Sequence, residues 1–186
     1  MEPTRAGPRT ASILGCCRAA RPTEVVAMGE MGRKIVKLDV GELLEDLSRA
    51  FANEWVAHFY YSVGAHLITG IQADDLAERM RTGAGEELAH ADLIAKRIAE
   101  LGGEPPADLV GLTRLATVPA LALPERRSDW QGWVRALLEV ERHVIGEYEQ
   151  LVEKTRHADP VTHELAERLL AAEVAEEEEL ENLLGD

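Results

Sequence analysis

Apolar side chains recur at helical spacing along four long stretches of the chain. In the second stretch, over 76–101, Leu76 and Met80 lie eleven and seven residues before Glu87, and Ile94 and Ile98 lie seven and eleven residues after it. These intervals return to the same side of a helix with about 3.6 residues per turn. The same pattern over 40–69, 129–157 and 160–184 predicts three more long helices.

Residues typical of helix ends bound these stretches. Asp39 and, three residues later, Glu42 have the spacing of a capping box at the start of the first helix. Ser128 has the same relation to a glutamine at the start of the third, and Asp159 with Pro160 supplies an N-cap and a first-turn proline for the fourth. We expect the second helix to follow the aspartates at 74–75 and to stop at the glycines at 102–103.

Two short connections and one long one join the predicted helices. Between 102 and 127 the helical periodicity fails, and four prolines interrupt any long helix. We therefore predict an all-α four-helix bundle, in which two antiparallel hairpins are joined by a long crossover. Gly83 and Gly85 lie within the second helix, where each costs about 1 kcal/mol of helix propensity, and close approach of a neighbouring helix would explain them.

Chemically reactive side chains interrupt the apolar faces of all four helices. Glu87 and His90 are three residues apart on one face of the second helix, where both can hold the same metal ion. The first, third and fourth helices carry Glu54, Glu141 and Glu173 on their apolar faces. The two glutamates of the first hairpin are 33 residues apart and those of the second 32, with a turn near each midpoint. Antiparallel folding would therefore bring them to the same height.

Glu176 adds a further carboxylate one turn after Glu173 on the fourth helix. Because each buried ion is costly to desolvate, a layer of carboxylates needs a counter-charge. A pair of divalent cations supplies it, and carboxylates with one imidazole suit iron or manganese. The alternative is that these glutamates lie at the edges of the apolar faces and point to water, which would make the protein a metal-free structural bundle.

Three further side chains share these faces. Tyr61 and Tyr148 follow Glu54 and Glu141 by seven residues each, which allows hydrogen bonds to metal ligands, electron donation, or packing alone. His58 lies four residues after Glu54, and we expect it either to support the ligands from behind or to be a hydrogen-bonded core histidine.

Composition excludes several classes of function. Hydrophobic residues make up 46% of the chain and aromatic residues 4%, a balance typical of helical bundles. The net charge of −14 argues against nucleic acid as the main partner, because phosphate binding needs a basic surface. No apolar run approaches the length that crosses a membrane. Cys16 and Cys17 are adjacent, which does not suit a zinc or rubredoxin-type site, and nothing downstream depends on disulfides, as in a reducing compartment.

Residues 1–30 are predicted to form a disordered extension. Residues 1–27 combine four arginines, two glutamates and three prolines without periodicity, and their net charge of +2 contrasts with the acidic remainder. They fit a signal or transit peptide poorly. The favoured interpretation is a cytoplasmic protein whose translation starts at Met28 or Met31.

Several motifs are similar to those of a known family. They are Met31-Gly32-Arg33-Lys34-Ile35-Val36, Asn53-Glu54-Trp55, Glu87-Leu88-Ala89-His90-Ala91-Asp92, Val140-Glu141-Arg142 and Asp159-Pro160-Val161-Thr162. With the four-helix spacing, they make residues 31–186 resemble the ferritin-like superfamily, and most closely its Dps-like and bacterioferritin-like members with a di-iron centre in each subunit. The resemblance implies a ferritin-like di-iron domain over 31–186.

The resemblance also implies a role for each candidate ligand. Glu54 and Glu141 would be terminal ligands of two iron ions, Glu87 and Glu173 would bridge them, and His90 would be a terminal imidazole. Manganese is the other metal that this donor set suits.

The fourth helix departs from the family pattern at Glu176. Related proteins carry Glu-x-x-His there, whereas this chain has glutamate in place of histidine. We expect the added negative charge to stabilise the ferric pair or to favour harder ions. Two alternatives stay open: Glu177 replaces Glu176 as the ligand, or the site has lost turnover. Leu88 stands where haem-binding bacterioferritins carry methionine, so no haem is predicted.

The function that the resemblance implies is iron oxidation and storage. Fe²⁺ would be oxidised by O₂ or H₂O₂ at the di-iron centre and mineralised inside a homo-oligomeric shell, as part of iron homeostasis and the response to oxidative stress. The chain ends about thirteen residues after Glu173, which leaves no room for the fifth helix of bacterioferritin and favours twelve subunits over twenty-four. The alternative is a non-storing di-iron or di-manganese oxidoreductase of the peroxidase or catalase type. DNA binding is expected to be absent.

Overall fold

The computed structural model describes residues 29–185, and the described part of the chain contains helices and no strands. The helices are α1 Glu30–Ile35, α2 Val40–Leu67, α3 Ala73–Glu100, α4 Leu109–Leu115, α5 Trp130–Thr155 and α6 Pro160–Leu184. Most of the predicted N-terminal extension, residues 1–28, lies outside the described residues, so its disorder stays a prediction. None of the described helices is long and apolar enough to span a membrane.

The four long helices form two antiparallel hairpins, which confirms the predicted fold class. α2 packs along α3, and α5 packs along α6. The hairpins meet where α2 contacts α5 and where α3 contacts α6. The segment from α3 to α5 is the long crossover, and its short helix α4 lies against α2.

A layer of acidic side chains divides the apolar core into two parts. The first apolar cluster lies on the side of the layer that faces the start of α2 and the end of α3. It includes Leu43, Leu47, Phe51, Ile94, Ile98, Leu151 and Leu169. On the other side lies the second apolar cluster, which includes Tyr61, Met80, Trp133, Leu137 and Leu180. Between the two clusters every long helix contributes to the acidic layer, which consists of Glu54, Glu87, His90, Glu141, Glu173 and Glu176.

Two of the predicted N-caps are confirmed. The Asp39 side chain accepts a hydrogen bond from the backbone N–H of Glu42 at 3.1 Å, and Asp159 accepts from Val161 and Thr162 at the start of α6. These bonds satisfy backbone donors that the first helical turn leaves without a partner.

The predicted starts of the other two long helices are wrong. Asp129 rather than Ser128 caps α5, because its carboxylate accepts from the N–H of Gly132 at 2.9 Å. α3 begins at Ala73, so Asp74 and Asp75 lie inside its first turn instead of before it. There their charges stabilise the positive end of the helix dipole without serving as caps.

The crossover is fixed to the bundle beside the acidic layer. Asn53, adjacent to Glu54 and 1% exposed, accepts from the backbone N–H groups of Thr117 at 2.7 Å and Val118 at 3.3 Å. Its amide nitrogen also donates to Thr117 Oγ1 at 3.1 Å. A buried side chain of α2 therefore supplies the hydrogen bonds that this non-helical segment needs.

The close-approach explanation holds for Gly83 and fails for Gly85. A Cβ atom at position 83 would lie 2.9 Å from Cε1 of the Tyr61 ring on α2. At position 85 it would meet nothing within 4 Å. Gly83 therefore makes room for a tyrosine that reaches into the acidic layer.

A buried ion pair joins α3 to the start of α6. The Arg97 guanidinium donates to Asp159 at 2.7 Å through Nη2 and to Thr162 Oγ1 at 2.8 Å through Nε. Burial raises the pKa of Asp159, but the hydrogen bonds from Thr162 and Arg97 and the Arg97 charge outweigh it and hold the pKa below its usual value. The residue that caps α6 is therefore also tied to α3.

Candidate metal centre

The structure brings all six predicted site residues together in the acidic layer. Glu54, Glu87, Glu141 and Glu173 are 0% exposed, Glu176 is 5% exposed and His90 is 8% exposed. The alternative in which these glutamates point to water therefore does not describe this fold. Carboxylates are rarely buried without partners, so their environment needs a physical explanation.

Two groups of ligand atoms can be distinguished within the layer. The first group is Glu54, Glu87, His90 and Glu173, and the second is Glu87, Glu141 and Glu176. Within each group, one ligand atom from every residue lies within 4.8 Å of the others. Because Glu87 belongs to both groups, they form two adjacent positions that share one carboxylate.

The first group surrounds the imidazole of His90. Its Nδ1 atom lies 2.8 Å from Glu173 Oε1, 3.5 Å from Glu54 Oε2 and 3.8 Å from Glu87 Oε2. Nδ1 and Glu173 Oε1 are nevertheless without a partner in the directional geometry of a hydrogen bond. One nitrogen and three carboxylate oxygens therefore converge on a common region, and a protonated His90 would make its shortest ion pair with Glu173.

Two buried tyrosines hold the terminal carboxylates across the bundle. Tyr61 of α2 donates to Glu141 Oε1 of α5 at 2.5 Å, and Tyr148 of α5 donates to Glu54 Oε1 of α2. Of the roles considered for the two tyrosines, the structure therefore shows hydrogen bonds to candidate metal ligands. Each bond occupies one oxygen of a glutamate and leaves the other oxygen inside the layer.

Most of the remaining ligand atoms have no hydrogen-bond partner. The buried ligand atoms without a hydrogen bond are Glu54 Oε2, both oxygens of Glu87, His90 Nδ1, Glu141 Oε2, both oxygens of Glu173, and Glu176 Oε2. An unpaired buried polar atom costs about 1–3 kcal/mol, and more when it is charged. A pair of divalent cations would satisfy all of these atoms at once, so the donor set fits such a pair.

The pKa values show how strongly the metal-free layer resists ionisation. Burial and then the neighbouring carboxylates raise the pKa of Glu87 and of Glu141 well above the ordinary value. Burial and then Glu173 raise the pKa of Glu176 to about 8. Burial lowers the pKa of His90, but the proximity of Glu173 and Glu54 outweighs it and raises that pKa to about 10. Without metal, protons therefore supply the missing positive charge.

The structure separates Glu176 from its alternative, Glu177. Glu176 belongs to the second group, whereas Glu177 lies at the surface and accepts from Arg142 Nε at 2.8 Å. The Nδ1 atom of His58 lies 2.7 Å from the carbonyl oxygen of Ala84. This histidine is hydrogen-bonded, as the second alternative states, but only half-buried and therefore not a core residue.

Sequence reasoning did not single out Arg79 of α3, which pairs with glutamates next to the acidic layer. It pairs with Glu86 on its own helix and with Glu179 on α6. The spacing of seven residues between Arg79 and Glu86 places both on one side of α3 and would have indicated the first contact.

A four-helix bundle with carboxylates and one histidine at mid-height defines a class of metal-binding helical proteins. Comparison with known proteins specifies the family: the family model for the ferritin-like domain matches residues 44–186, and the chain belongs to that family. The DNA protection during starvation protein of Pyrococcus furiosus is 33% identical over 160 residues, which cover 84% of this chain and 86% of that protein.

Solved structures show the same fold. A bacterioferritin-related protein from Bacteroides fragilis, described as a dodecameric thioferritin, matches with a TM-score of 0.76 and 33% identity, over 82% of this chain and 91% of that one. Dps from Thermosynechococcus elongatus matches with a TM-score of 0.71 and 25% identity, over 77% of this chain and 90% of that one. The predicted resemblance to Dps-like and bacterioferritin-like proteins is confirmed.

Proposed function

We propose that the protein is a ferroxidase that oxidises Fe²⁺ with O₂ or H₂O₂ and stores the product. The observation that carries this proposal is the acidic layer, in which buried oxygens from four helices and one imidazole nitrogen have no hydrogen-bond partner. Membership of the ferritin-like family supports iron over other divalent ions. Manganese is the second metal that the donor set suits, and no haem is proposed.

The hydrogen bonds of the tyrosines support a division of roles among the carboxylates. Glu54 and Glu141 each give one oxygen to a tyrosine, which leaves one free oxygen for a terminal ligand. Glu87 has neither oxygen in a hydrogen bond and belongs to both groups, as a bridge between two ions requires. Glu173 also has neither oxygen in a hydrogen bond but belongs to the first group alone, so its bridging role rests on the family resemblance. His90 would bind through Nδ1, and Glu176 would be the last ligand of the second group.

The protein's own contribution to the chemistry is to bind and orient. Bound iron supplies the electrons that reduce the oxidant. Tyr61 and Tyr148 keep Glu141 and Glu54 in one orientation, so the free oxygens face inward before an ion arrives. Since the imidazole of a metal-bound His90 must be neutral, ion binding releases the proton that this ring holds in the metal-free protein.

We propose further that the chain assembles into a homo-oligomeric shell, with twelve subunits favoured over twenty-four. The Bacteroides fragilis relative, described as dodecameric, supports this assembly. A cytoplasmic location and a role in iron homeostasis and oxidative stress belong to the same proposal. The name of the Pyrococcus furiosus relative refers to DNA, but the net charge of −14 does not favour direct DNA binding, and we propose none.

The test is an anaerobic Fe²⁺ titration followed by O₂ or H₂O₂, with the near-ultraviolet absorbance of Fe³⁺ as the readout. The wild-type chain should bind two Fe²⁺ and oxidise both. Glu173→Gln keeps the shape of a ligand and removes its charge, so it should abolish fast oxidation. Glu178→Gln, on an exposed side chain of the same helix, is the matched control and should behave as wild type.

Size-exclusion chromatography after iron loading tests storage separately. A large shell that carries many more than two irons per chain supports storage. A small oligomer that retains two irons per chain would instead support a non-storing oxidoreductase. A wild-type chain that binds no Fe²⁺ would refute the proposal.

A further inference from the structure

Ile71 is the most exposed large apolar side chain in the described part of the chain. It lies in the turn between α2 and α3, and 99% of it is accessible to water. The next most exposed is Leu109 of α4, at 74%. A single exposed apolar side chain is common on protein surfaces. What makes Ile71 informative is therefore the structure around it.

The turn that carries Ile71 is fixed to the rest of the bundle. The N–H of Thr69 donates to the carbonyl oxygen of Arg127, just before α5, at 3.0 Å. Gly70 has a φ of 101°, which favours glycine, and a Cβ atom there would lie 3.1 Å from Cβ of Ser128. Ile71 thus projects into water from a closely packed turn.

A pocket of about 270 Å³ lies at the same end of the bundle. Its lining comes from the start of α3 and its N-cap, the start of α5 and the end of α6: Gln72, Asp75, Leu76, Arg79, Trp130 and Leu183. Leu76 belongs to the second apolar cluster, and Trp130 packs against that cluster. Since a cavity of about 150 Å³ accepts benzene, this pocket has room for one branched aliphatic side chain.

Ile71 and the pocket are neighbours, but Ile71 does not occupy the pocket of its own chain. Gln72, which lines the pocket, directly follows Ile71 in the sequence, yet Ile71 has almost no contact with its own chain. We propose that Ile71 of one copy of this chain enters the pocket formed by Leu76, Trp130 and Leu183 of a second copy. Every copy brings both parts of this contact, so it can repeat in a closed symmetric assembly.

A second copy explains both features with one contact. A foreign apolar ligand in the pocket would leave Ile71 in water, whereas a second copy covers the side chain and fills the pocket together. The inference rests on the proposed homo-oligomeric assembly and adds the surface through which its copies meet. It is separate from the acidic layer, because both groups of ligand atoms come from a single chain.

The first experiment measures the assembly of the full-length protein by sedimentation velocity at fixed concentration. Ile71→Asp removes the burial of an isoleucine and would bury a charge, so it should weaken association by about ten- to a hundredfold per contact. It should therefore yield smaller species than the wild-type chain. Ile71→Val keeps an aliphatic side chain and should assemble as wild type. Helix content should stay unchanged in both, because Ile71 has almost no contacts within its own chain.

The second experiment is disulfide cross-linking between two differently tagged chains expressed together. One chain carries Ile71→Cys and the other Leu183→Cys, and Cys16→Ser with Cys17→Ser removes the natural thiols from both. Oxidation should join the two tags, because a disulfide forms only where the two Cα atoms come within about 7 Å. The matched control uses Val174→Cys in place of Leu183→Cys. Val174 lies on the same helix with nearly equal exposure, 45% against 44%, but outside the pocket, and should give no mixed disulfide.

Each contrary result has a distinct meaning. The inference is overturned if Ile71→Asp assembles as wild type, or if Leu183→Cys cross-links no better than Val174→Cys; the proposed ferroxidase function and shell then stand. If Ile71→Asp loses helix content, the cross-linking decides alone. A monomeric wild-type chain overturns both the inference and the proposed shell. An intact assembly that cross-links as expected but binds no Fe²⁺ supports the inference and refutes the ferroxidase.

Discussion

A single methyl group added at Gly83 tests how firmly Tyr61 is held against Glu141. The Cβ atom of Gly83→Ala would lie 2.9 Å from Cε1 and 3.0 Å from Cδ1 of the Tyr61 ring. That ring is fully buried within the second apolar cluster, and its hydroxyl group donates to Glu141. The ring has no free space to enter, so either it or the α2–α3 contact must shift.

The size of the effect follows from two opposing contributions. Replacing a helical glycine by alanine stabilises a helix by about 1 kcal/mol. Forcing an extra methyl group into a packed core costs about 1–3 kcal/mol. Gly85→Ala is the matched control, because its Cβ would meet nothing within 4 Å and only the helix gain applies. Gly83→Ala should therefore be less stable than Gly85→Ala by about 1–3 kcal/mol.

The assay is urea unfolding of the metal-free protein at one fixed protein concentration, since assembly contributes to apparent stability. Mn²⁺ affinity is the second readout. A displaced Tyr61 loses its bond to Glu141, which belongs to the second group. Gly83→Ala should therefore also bind an ion at that group more weakly than Gly85→Ala. The argument fails if the two alanine variants are equally stable and bind Mn²⁺ equally.

Three further predictions concern the charges of the interior. Burial raises the pKa of Glu176 in the folded protein from 4.5 to about 8, so the folded protein holds this proton more tightly than the unfolded chain. The metal-free protein should therefore lose stability as the pH rises from about 4.5 to 8. Thermal unfolding with EDTA checks this, and a stability that rises over that range would contradict it. Glu176→His should still bind about two Fe²⁺ per chain in an anaerobic titration, and a fall to one would show that the carboxylate is required. Arg97→Met should destabilise the fold by about 3–5 kcal/mol in urea, because Asp159 loses its partner, and the double variant with Asp159→Asn should recover part of that loss.

The sequence was sufficient to predict the interiors of the long helices and the level of the acidic side chains. Both depend on intervals, and the separations of 33 and 32 residues between the glutamates of each hairpin hold whatever the details of the loops. The fold class followed for the same reason. Neither α1 nor α4 was predicted, since six or seven residues are too few to show a helical period.

Contacts between helices could not be predicted from the periodicity of one helix. The helical repeat places Tyr61 on an inward face but does not tell which residue of α5 it reaches. Whether the neighbour of Gly83 is a tyrosine ring, and that of Gly85 is open space, depends on the angle at which α2 crosses α3. The second partner of Arg79, Glu179, is a hundred residues away in sequence, and only the packing of α3 on α6 brings them together.

The two apolar clusters explain how a layer of buried carboxylates can exist before any ion binds. Each cluster packs all four long helices, one on either side of the layer, so the helices keep their register even where the layer itself is unfavourable. The tyrosine bonds then fix Glu54 and Glu141, which repulsion would otherwise displace. We therefore expect the fold to form without metal ions, unlike small zinc domains that unfold without metal. Loss of a ligand charge should consequently reduce ion binding without reducing helix content, whereas a change in either cluster should reduce both.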